Sequence, residues 1–285
     1  MKNPFSPALL KKYIYPALLV LFAVAFLVSA GFLADYYIKS FKQKKLNQQL
    51  SQMIQPEVTG TDSLEDYTNE DITGDFTLPP QSKYTKVVHP KTNKTLLILT
   101  EYLELFNLNP DLIGWINISG TNINYPVMHT PNWVNYYLTR DFYGQKDKHG
   151  ALYADEMANL RNPSDNITIY GHRMQDGTMF ADLHDYKSWS FYKEHSIIDF
   201  DTIYEKHTYE IFAVFLTTAT TDGFAYHQFV DGTEEDFNAY VAKCKELSIY
   251  NTGVNVSYGD KLITLSTCEH AFDEGRLAVV AKRIS

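Results

Sequence analysis

Cysteine is scarce in this sequence, and its scarcity excludes two kinds of protein. The 285 residues contain two cysteines, Cys244 and Cys268, which are too few for the disulfide framework of a secreted scaffold protein. The sequence has no Cys-x2-Cys pair and no His-x3-His pair that could complete the four ligands of a tetrahedral zinc site. We therefore expect no metal centre.

Positive charge is also limited. The net charge is −9 and the isoelectric point is near 5.4, so the protein as a whole repels polyanions. The sequence contains no stretch in which basic residues alternate with aromatic ones, the pattern typical of nucleic-acid-binding surfaces. The composition thus predicts that nucleic acid is not a partner.

Charged residues are missing from one long stretch near the N-terminus. Residues 13–34 contain no charge and are dominated by Leu, Val, Ala and Phe, which is long enough for a helix to cross a bilayer core of about 30 Å. A cleaved signal peptide is the alternative, since residues 28–30 (VSA) form a possible cleavage site. We predict a single transmembrane anchor, a short cytoplasmic tail over residues 1–12, and a C-terminal domain outside the cell membrane.

Lysine and arginine are absent from a second stretch, which begins about twenty residues after the anchor. Residues 38–55 are rich in Lys and Gln and predict a solvated helix that continues the anchor, whereas residues 56–81 are acidic, contain no Lys or Arg and carry few aliphatic side chains. Such a segment buries too little apolar surface to offset the entropy lost on ordering, so we predict a disordered acidic stalk. Residues 35–83 are then a linker, and residues 84–285 are the folded domain.

The sequence of the folded part predicts a mainly β structure. Helical spacing is found over residues 95–106, 180–193 and 234–247, and the last segment opens with a capping box at Thr233. Its spacing places Cys244 on the packed face of the helix. Short strand-like runs separated by Gly, Asn and Asp turns predict an antiparallel or mixed barrel. Eight runs show this pattern: 113–118, 123–128, 151–154, 166–170, 197–200, 209–216, 262–268 and 277–284.

Three residues at strand ends form a candidate catalytic set. Cys268 ends one apolar run, Arg276 begins the next, and His172 follows a third run after a glycine. Thiol chemistry on a carbonyl requires a nucleophile, a proton donor and acceptor, and fixed donors for the oxyanion. Cys268, His172 and Arg276 supply one of each. Sequence spacing alone does not show that they meet, and a capping histidine or a surface ion-pair arginine has the same pattern.

The motifs around these residues resemble those of class B sortases, membrane-bound cysteine transpeptidases of Gram-positive bacteria. The similarity runs from about residue 96 to residue 284 and keeps the motifs in family order. The matching segments are 109–116 (NPDLIGWI), 121–127 (TNINYPV), 149–153 (HGALY), 170–174 (YGHRM), 264–268 (TLSTC) and 275–276 (GR). One departure is His270, since some members have an acidic residue at this position.

This resemblance implies a fold and a mechanism. The fold is mainly β, a closed eight-stranded barrel with flanking helices. The family's catalytic residues correspond to His172, Cys268 and Arg276. The thiol attacks the threonine carbonyl of an Asn-Pro-x-Thr-like sorting signal on a surface protein, and the thioacyl enzyme then passes that protein to an amine of a peptidoglycan precursor or a pilin. No metal or organic cofactor takes part. The resemblance also suggests five substrate-binding residues: Leu138, Phe224, Tyr226, Ser266 and Glu269.

Two other functions stay open on the residues alone. A cysteine endopeptidase would form the same acyl enzyme and let water complete the reaction, although papain-like enzymes have the cysteine before the histidine in sequence. A membrane-anchored binding module without catalysis would leave Cys268, His172 and Arg276 unexplained.

Overall fold

The N-terminal part of the chain is one long helix. The computed structural model describes residues 10–56, 60–74, 76–269 and 274–285, and the chain divides after Leu46 into two compact units. Helix α1 (Tyr15–Gln52) follows a π-helical turn. It is long and apolar enough to cross a membrane, and large apolar side chains such as Phe26 are exposed along it. Exposed apolar side chains of this kind are what a helix presents to lipid.

The acidic segment after α1 is more ordered than its composition predicts. Helix α2 (Asn69–Thr73) lies within it and buries Ile72. The carboxylate of Asp62 accepts hydrogen bonds from the hydroxyls of Tyr67 and Ser82, at 2.6 and 2.5 Å. The structure therefore differs from the predicted disorder over residues 60–74 and 76–83. The donors to Asp62 come from both a nearby residue and one twenty residues later, and net charge alone does not reveal them.

A small hairpin precedes the barrel, where the sequence predicts a helix over residues 95–106. Strand β1 (Tyr84–Val88) pairs antiparallel with β2 (Thr95–Leu99), and the α-helix, α3 (Leu103–Leu108), begins later. The prediction is wrong for the first half of the segment. A short continuous apolar run fits a buried strand as well as a helix, and here the neighbouring strand β1 decides the outcome.

The core of the domain is a closed eight-stranded barrel, which confirms the predicted fold class. The barrel strands are β3 (Leu112–Asn117), β4 (Asn124–Met128), β5 (Leu152–Ala154), β6 (Asn166–Tyr170), β7 (Ile197–Thr202), β8 (Thr208–Thr218), β9 (Leu262–Glu269) and β10 (Gly275–Arg283). Their order around the barrel is β10-β8-β7-β3-β4-β5-β6-β9. Neighbours pair antiparallel except β4 with β5 and β6 with β9, which are parallel.

Alternating side chains fill the barrel interior and a second core on its outer face. Ile263 and Leu265 of β9 belong to the interior cluster, whereas Leu262 belongs to the outer one. The predicted helix over residues 180–193 is divided at Ser188, whose backbone is extended. A 3-10 helix (Ala181–Lys187) precedes Ser188, and α4 (Trp189–Glu194) follows it.

The outer core is covered by helix α5 (Glu234–Leu247), which has the predicted bounds. The hydroxyl of Thr233 accepts the N–H of Asp236, whose carboxylate accepts the N–H of Thr233 at 3.0 Å, so the predicted capping box is confirmed. Cys244 is fully buried on the inner face of this helix, and burial raises the pKa of its thiol to about 12. Its predicted role as a packing residue is confirmed, since a thiol with this pKa stays protonated and unreactive near neutral pH.

Candidate active site

The three candidate catalytic residues lie at the ends of three adjacent strands. Arg276 of β10 is the antiparallel partner of Cys268 on β9. On the other side of β9, Tyr170 of β6 lies opposite Ser266 in a parallel register, and the N–H of Gly171 donates to the Ser266 carbonyl at 3.1 Å. His172 is two residues past Tyr170, as Cys268 is two residues past Ser266. The register thus sets His172 beside Cys268, at a strand spacing of about 4.8 Å.

All three side chains belong to the outer face of the barrel. Residues two apart on a strand share a face, and Ile169, Leu265 and Leu277 point into the interior core. Cys268 and Arg276 therefore point outward. Gly171 occupies an inward position, because an added Cβ would come within 2.3 Å of the Leu152 side chain. The next residue, His172, is outward.

His172 is oriented by a carbonyl group from a neighbouring turn. Its Nε2 lies 2.7 Å from the carbonyl oxygen of Leu138, in the 3-10 turn Tyr136–Thr139. A carbonyl oxygen only accepts hydrogen bonds, so Nε2 carries the hydrogen. In the neutral ring this leaves Nδ1 free to accept a proton. The turn before β5 thus determines which nitrogen of His172 can act as a base.

The guanidinium group of Arg276 is held at the base of β10. Its Nη1 donates to the carbonyl oxygens of Glu274 and Gly275, at 3.3 and 2.9 Å. One arm of the planar fork is therefore anchored to the backbone. Arginine has five N–H donors, so hydrogen atoms remain for a second acceptor beside Cys268.

The two thiols of the chain have different environments. Cys268 is half-buried at the open end of β9, whereas Cys244 is enclosed by the outer core. Tyr153 of β5 lies within electrostatic range of Cys268 and Arg276, although burial is the main cause that raises the pKa of its hydroxyl. A partly accessible thiol beside a fixed cation is the arrangement that a nucleophilic cysteine requires.

Four of the proposed substrate-binding residues lie close to this face. Leu138 is 36% exposed, and its carbonyl group holds His172. The hydroxyls of Tyr226 and Ser266 are 2.5 Å apart and buried, on the same face of β9 as Cys268. Phe224 is half-buried, and its ring packs against Phe215 with the centroids 5.8 Å apart. These side chains support the surface beside Cys268, and among them Leu138 is the most exposed.

The side chain of Glu269 has a different environment. It points to the inner face, where its carboxylate is almost fully buried and binds Lys187, His184 at 2.7 Å and Arg173 at 3.6 Å. Burial lowers the pKa of His184, and Arg173 and Lys187 lower it further, which together outweigh the bond to Glu269. The charge of Glu269 is thus balanced mainly by the arginine and the lysine. Only its backbone remains near Cys268, and His270 lies outside the described residues.

Comparison with known proteins identifies the family. The sortase domain profile matches residues 116–284. Sortase B of Staphylococcus aureus is 38% identical over 186 residues, which cover 65% of this chain and 75% of that protein. Sortase B of Listeria monocytogenes is 35% identical over 196 residues, covering 68% and 78%. The chain belongs to the sortase family.

Solved sortase structures share its fold. A substrate complex of Staphylococcus aureus sortase B is 36% identical, with a TM-score of 0.61 over 66% of this chain and 86% of that one. Clostridium perfringens sortase B is 32% identical, with a TM-score of 0.60 over 64% and 99%. The predicted class B membership is confirmed, and the protein is a cysteine transpeptidase that acts on sorting-signal substrates. Since sortases are membrane-associated, α1 is suggested as the membrane anchor of this sortase.

Sequence reasoning missed several polar contacts that surround the site of this sortase. The hydroxyl of Tyr170 donates to Asp155 at 2.9 Å, and that of Tyr153 donates to Asn135 at 2.7 Å. A buried His149 lies between two carboxylates. Tyr153, Tyr170 and His149 all fall within the family-like motifs, and this is the sequence feature that could have identified them. One partner of His149, Asp147, lies two residues away, but the other partners lie 15 to 27 residues away in sequence, so no local pattern reveals those contacts.

Proposed function

We propose that this sortase cleaves an Asn-Pro-x-Thr-like sorting signal after its threonine and forms a thioacyl intermediate on Cys268. The observation that carries the proposal is the cross-strand pairing of Cys268 with Arg276 on the outer barrel face, with His172 in register on the other side. The thiolate sulfur attacks the threonine carbonyl carbon, and the carbonyl oxygen becomes an oxyanion. The free N–H groups of Arg276 stabilise that negative charge.

His172 moves the protons in both half-reactions. As the carbon–nitrogen bond of the signal breaks, the protonated ring gives a proton to the departing amine, and a thioester remains on Cys268. The neutral ring then takes a proton from the incoming amine as its nitrogen attacks the thioester and the thiolate leaves. Nδ1 is the nitrogen available for this exchange, because Nε2–H is bound to the Leu138 carbonyl. The acceptor is an amine of a peptidoglycan precursor or a pilin.

The sorting signal would lie across the outer face beside Cys268. Leu138 offers an exposed apolar contact there, and Phe224, Tyr226 and Ser266 shape the surface beneath. Glu269 would contribute through its backbone N–H, because its carboxylate is engaged on the opposite face. In this arrangement Leu138 both contacts the substrate and fixes His172.

The proposed topology has the N-terminus in the cytoplasm. Residues 13–34 cross the membrane, residues 35–83 form the linker, and the catalytic domain, residues 84–285, faces outward. The supporting observation is the exposed apolar surface of α1. Protease added to intact cells should digest the domain and spare the tail.

The test of the reaction is amine-dependent ligation. Full-length protein in detergent is incubated with a sorting peptide, with and without an acceptor amine. A new amide product that requires both Cys268 and the amine supports the proposal. Cleavage that is indifferent to the amine identifies an endopeptidase, and absence of reaction with a panel of sorting peptides argues against the proposed signal.

A further inference from the structure

A buried histidine outside the proposed catalytic set links two segments beside His172. His149 lies just before β5, and its side chain has no exposed surface. Its Nδ1 is 2.7 Å from Oδ1 of Asp147, and its Nε2 is 3.1 Å from Oδ2 of Asp176. The side chain of Asp176 is 5% exposed, so this contact is shielded from water. Both ring nitrogens therefore face carboxylate oxygens.

The two carboxylates determine the protonation of the ring. Carboxylates accept hydrogen bonds, so His149 satisfies both only when each nitrogen carries a hydrogen. Burial by itself lowers the pKa of His149, but the hydrogen bonds to Asp147 and Asp176 outweigh it and raise the pKa. The ring is thus an imidazolium between two carboxylates. Titratable groups that interact with these carboxylates include Asp141, Lys148 and Tyr125.

Asp176 connects this ring to the loop that leaves His172. The loop turns back on itself, because the N–H of Phe180 donates to the His172 carbonyl at 2.9 Å. The second carboxylate oxygen of Asp176 accepts the N–H and hydroxyl of Thr178, at 3.1 and 2.6 Å. Asp176 thus lies at the tip of a short reversal whose base is His172. Fixing Asp176 therefore restrains the backbone of His172.

The other end of the link reaches the turn that carries Leu138. The N–H of Asp147 donates to the Thr139 carbonyl at 3.1 Å. Directly after His149, an added Cβ on Gly150 would lie 2.6 Å from the Leu138 carbonyl oxygen, so the two backbones are in close contact. That same oxygen faces Nε2 of His172 at 2.7 Å. The contacts therefore close a ring that begins and ends at His172.

We propose that His149 is a positioning residue: it clamps the loop that follows His172 to the turn that carries Leu138, and so fixes the orientation of the His172 ring. This inference rests on the proposed role of His172 in proton transfer. It adds three charged, hydrogen-bonded side chains to a site whose reacting groups lie on strands or just past a strand end. The clamp requires the imidazolium form. Because the pKa of His149 is raised on folding, the clamp is fully present below the ordinary histidine pKa of about 6.5 and is lost as the pH rises through the folded-state pKa.

Asp176→Asn is the sharpest perturbation of the clamp. The amide keeps the size of the side chain and an oxygen for Thr178, but it removes the negative charge that faces Nε2 of His149. We expect kcat to fall about 10- to 100-fold, the range expected when a catalytic group moves by about 1 Å, while KM for the sorting peptide changes less than about 3-fold. The alkaline limb of the pH profile should move to lower pH in this variant.

His207→Gln is the matched control. His207 is also almost buried, but burial lowers its pKa to about 4. It precedes β8, which β10 and β9 separate from β6, the strand that leads to His172. If replacing any buried histidine destabilises the fold, this variant should show a lower Tm. We expect its kcat and its pH profile to match those of the unmodified enzyme. A kcat loss in His207→Gln equal to that in Asp176→Asn would overturn the proposal.

Nuclear magnetic resonance of ¹⁵N-histidine-labelled full-length protein in detergent measures ring protonation in the clamp independently of activity. In the unmodified protein at pH 6, His149 should show hydrogens on both ring nitrogens, and His172 should show a hydrogen-bonded Nε2–H. Asp176→Asn should lose the second signal. A neutral His149 ring in the unmodified protein contradicts the clamp even if the variant does not fold, and so does an unchanged His172 signal in a folded Asp176→Asn protein.

These readouts separate the clamp from the proposed function. If Cys268→Ala retains ligation, the proposed mechanism fails, whereas the His149 and His172 signals still report whether the clamp exists. If Cys268→Ala is inactive and Asp176→Asn has normal kcat, the mechanism stands and the positioning role of His149 is wrong.

Discussion

Arg276→Lys tests whether one guanidinium group both anchors to the backbone and stabilises the oxyanion. In the structure, Nη1 of Arg276 is bound to the carbonyl oxygens of Glu274 and Gly275, and the remaining N–H donors are available beside Cys268. Lysine retains the charge but has a single nitrogen, which cannot anchor to the backbone and hold an oxyanion in the same geometry. The loss should match the removal of one oxyanion donor, roughly 100- to 1,000-fold in turnover or about 2.7–4 kcal/mol.

The assay is ligation of a fluorescent sorting peptide to an amine by the full-length enzyme in detergent, with kcat and KM measured separately. Arg283→Lys is the matched control, because Arg283 ends the same strand β10 at the opposite end from Cys268. We expect this control to behave like the unmodified enzyme. Turnover of Arg276→Lys within a few-fold of normal would remove the guanidinium fork from the mechanism.

Three further predictions use residues with defined surroundings. Cys268→Ala should abolish cleavage and ligation, whereas Cys244→Ala should lower the free energy of unfolding by roughly 1 kcal/mol and leave turnover intact; the reverse pattern would contradict the assignment of the nucleophile. Gly171→Ala adds a Cβ within 2.6 Å of the Phe180 ring and should cost about 1–3 kcal/mol, seen as a lower Tm together with lower kcat, because His172 is displaced. Thr233→Ala removes the helix cap and should cost about 1 kcal/mol in thermal unfolding with no change in kcat, so a drop in kcat would disagree with the position of α5.

The sequence predicts the barrel because its signals are local. Each strand is a short apolar or β-branched run between turn residues, and α5 has both a capping box and a helical stripe. The strand-end positions of Cys268, His172 and Arg276 are also visible in sequence, although their convergence is not. That convergence depends on two pairings of β9, antiparallel to β10 and parallel to β6, which join segments about 10 and 100 residues apart.

The errors arise where the deciding contact is distant. Residues 95–99 are apolar without a clear period, and β1 makes them a strand. The acidic segment is ordered in part by Asp62, which accepts the hydroxyl of Ser82 twenty residues later. The ion pairs of the Glu269 side chain, on which the sequence makes no prediction, depend on distant residues as well, since its cationic partners lie 82 to 96 residues earlier in the chain. Composition and local period do not contain this information.

Strand period explains why two neighbouring residues have such different roles. Cys268 points to the outer face beside Arg276, and Glu269 points inward to Lys187 and His184. A shift of β9 by one residue would exchange the faces, burying the thiol and exposing the carboxylate. Pairing with a strand on each side opposes such a shift, and the buried ion pairs of Glu269 add a penalty, since moving it outward would leave its cations without their partner. The accessibility of the proposed nucleophile therefore depends on the register of the closed barrel, and the buried carboxylate next to it helps to fix that register.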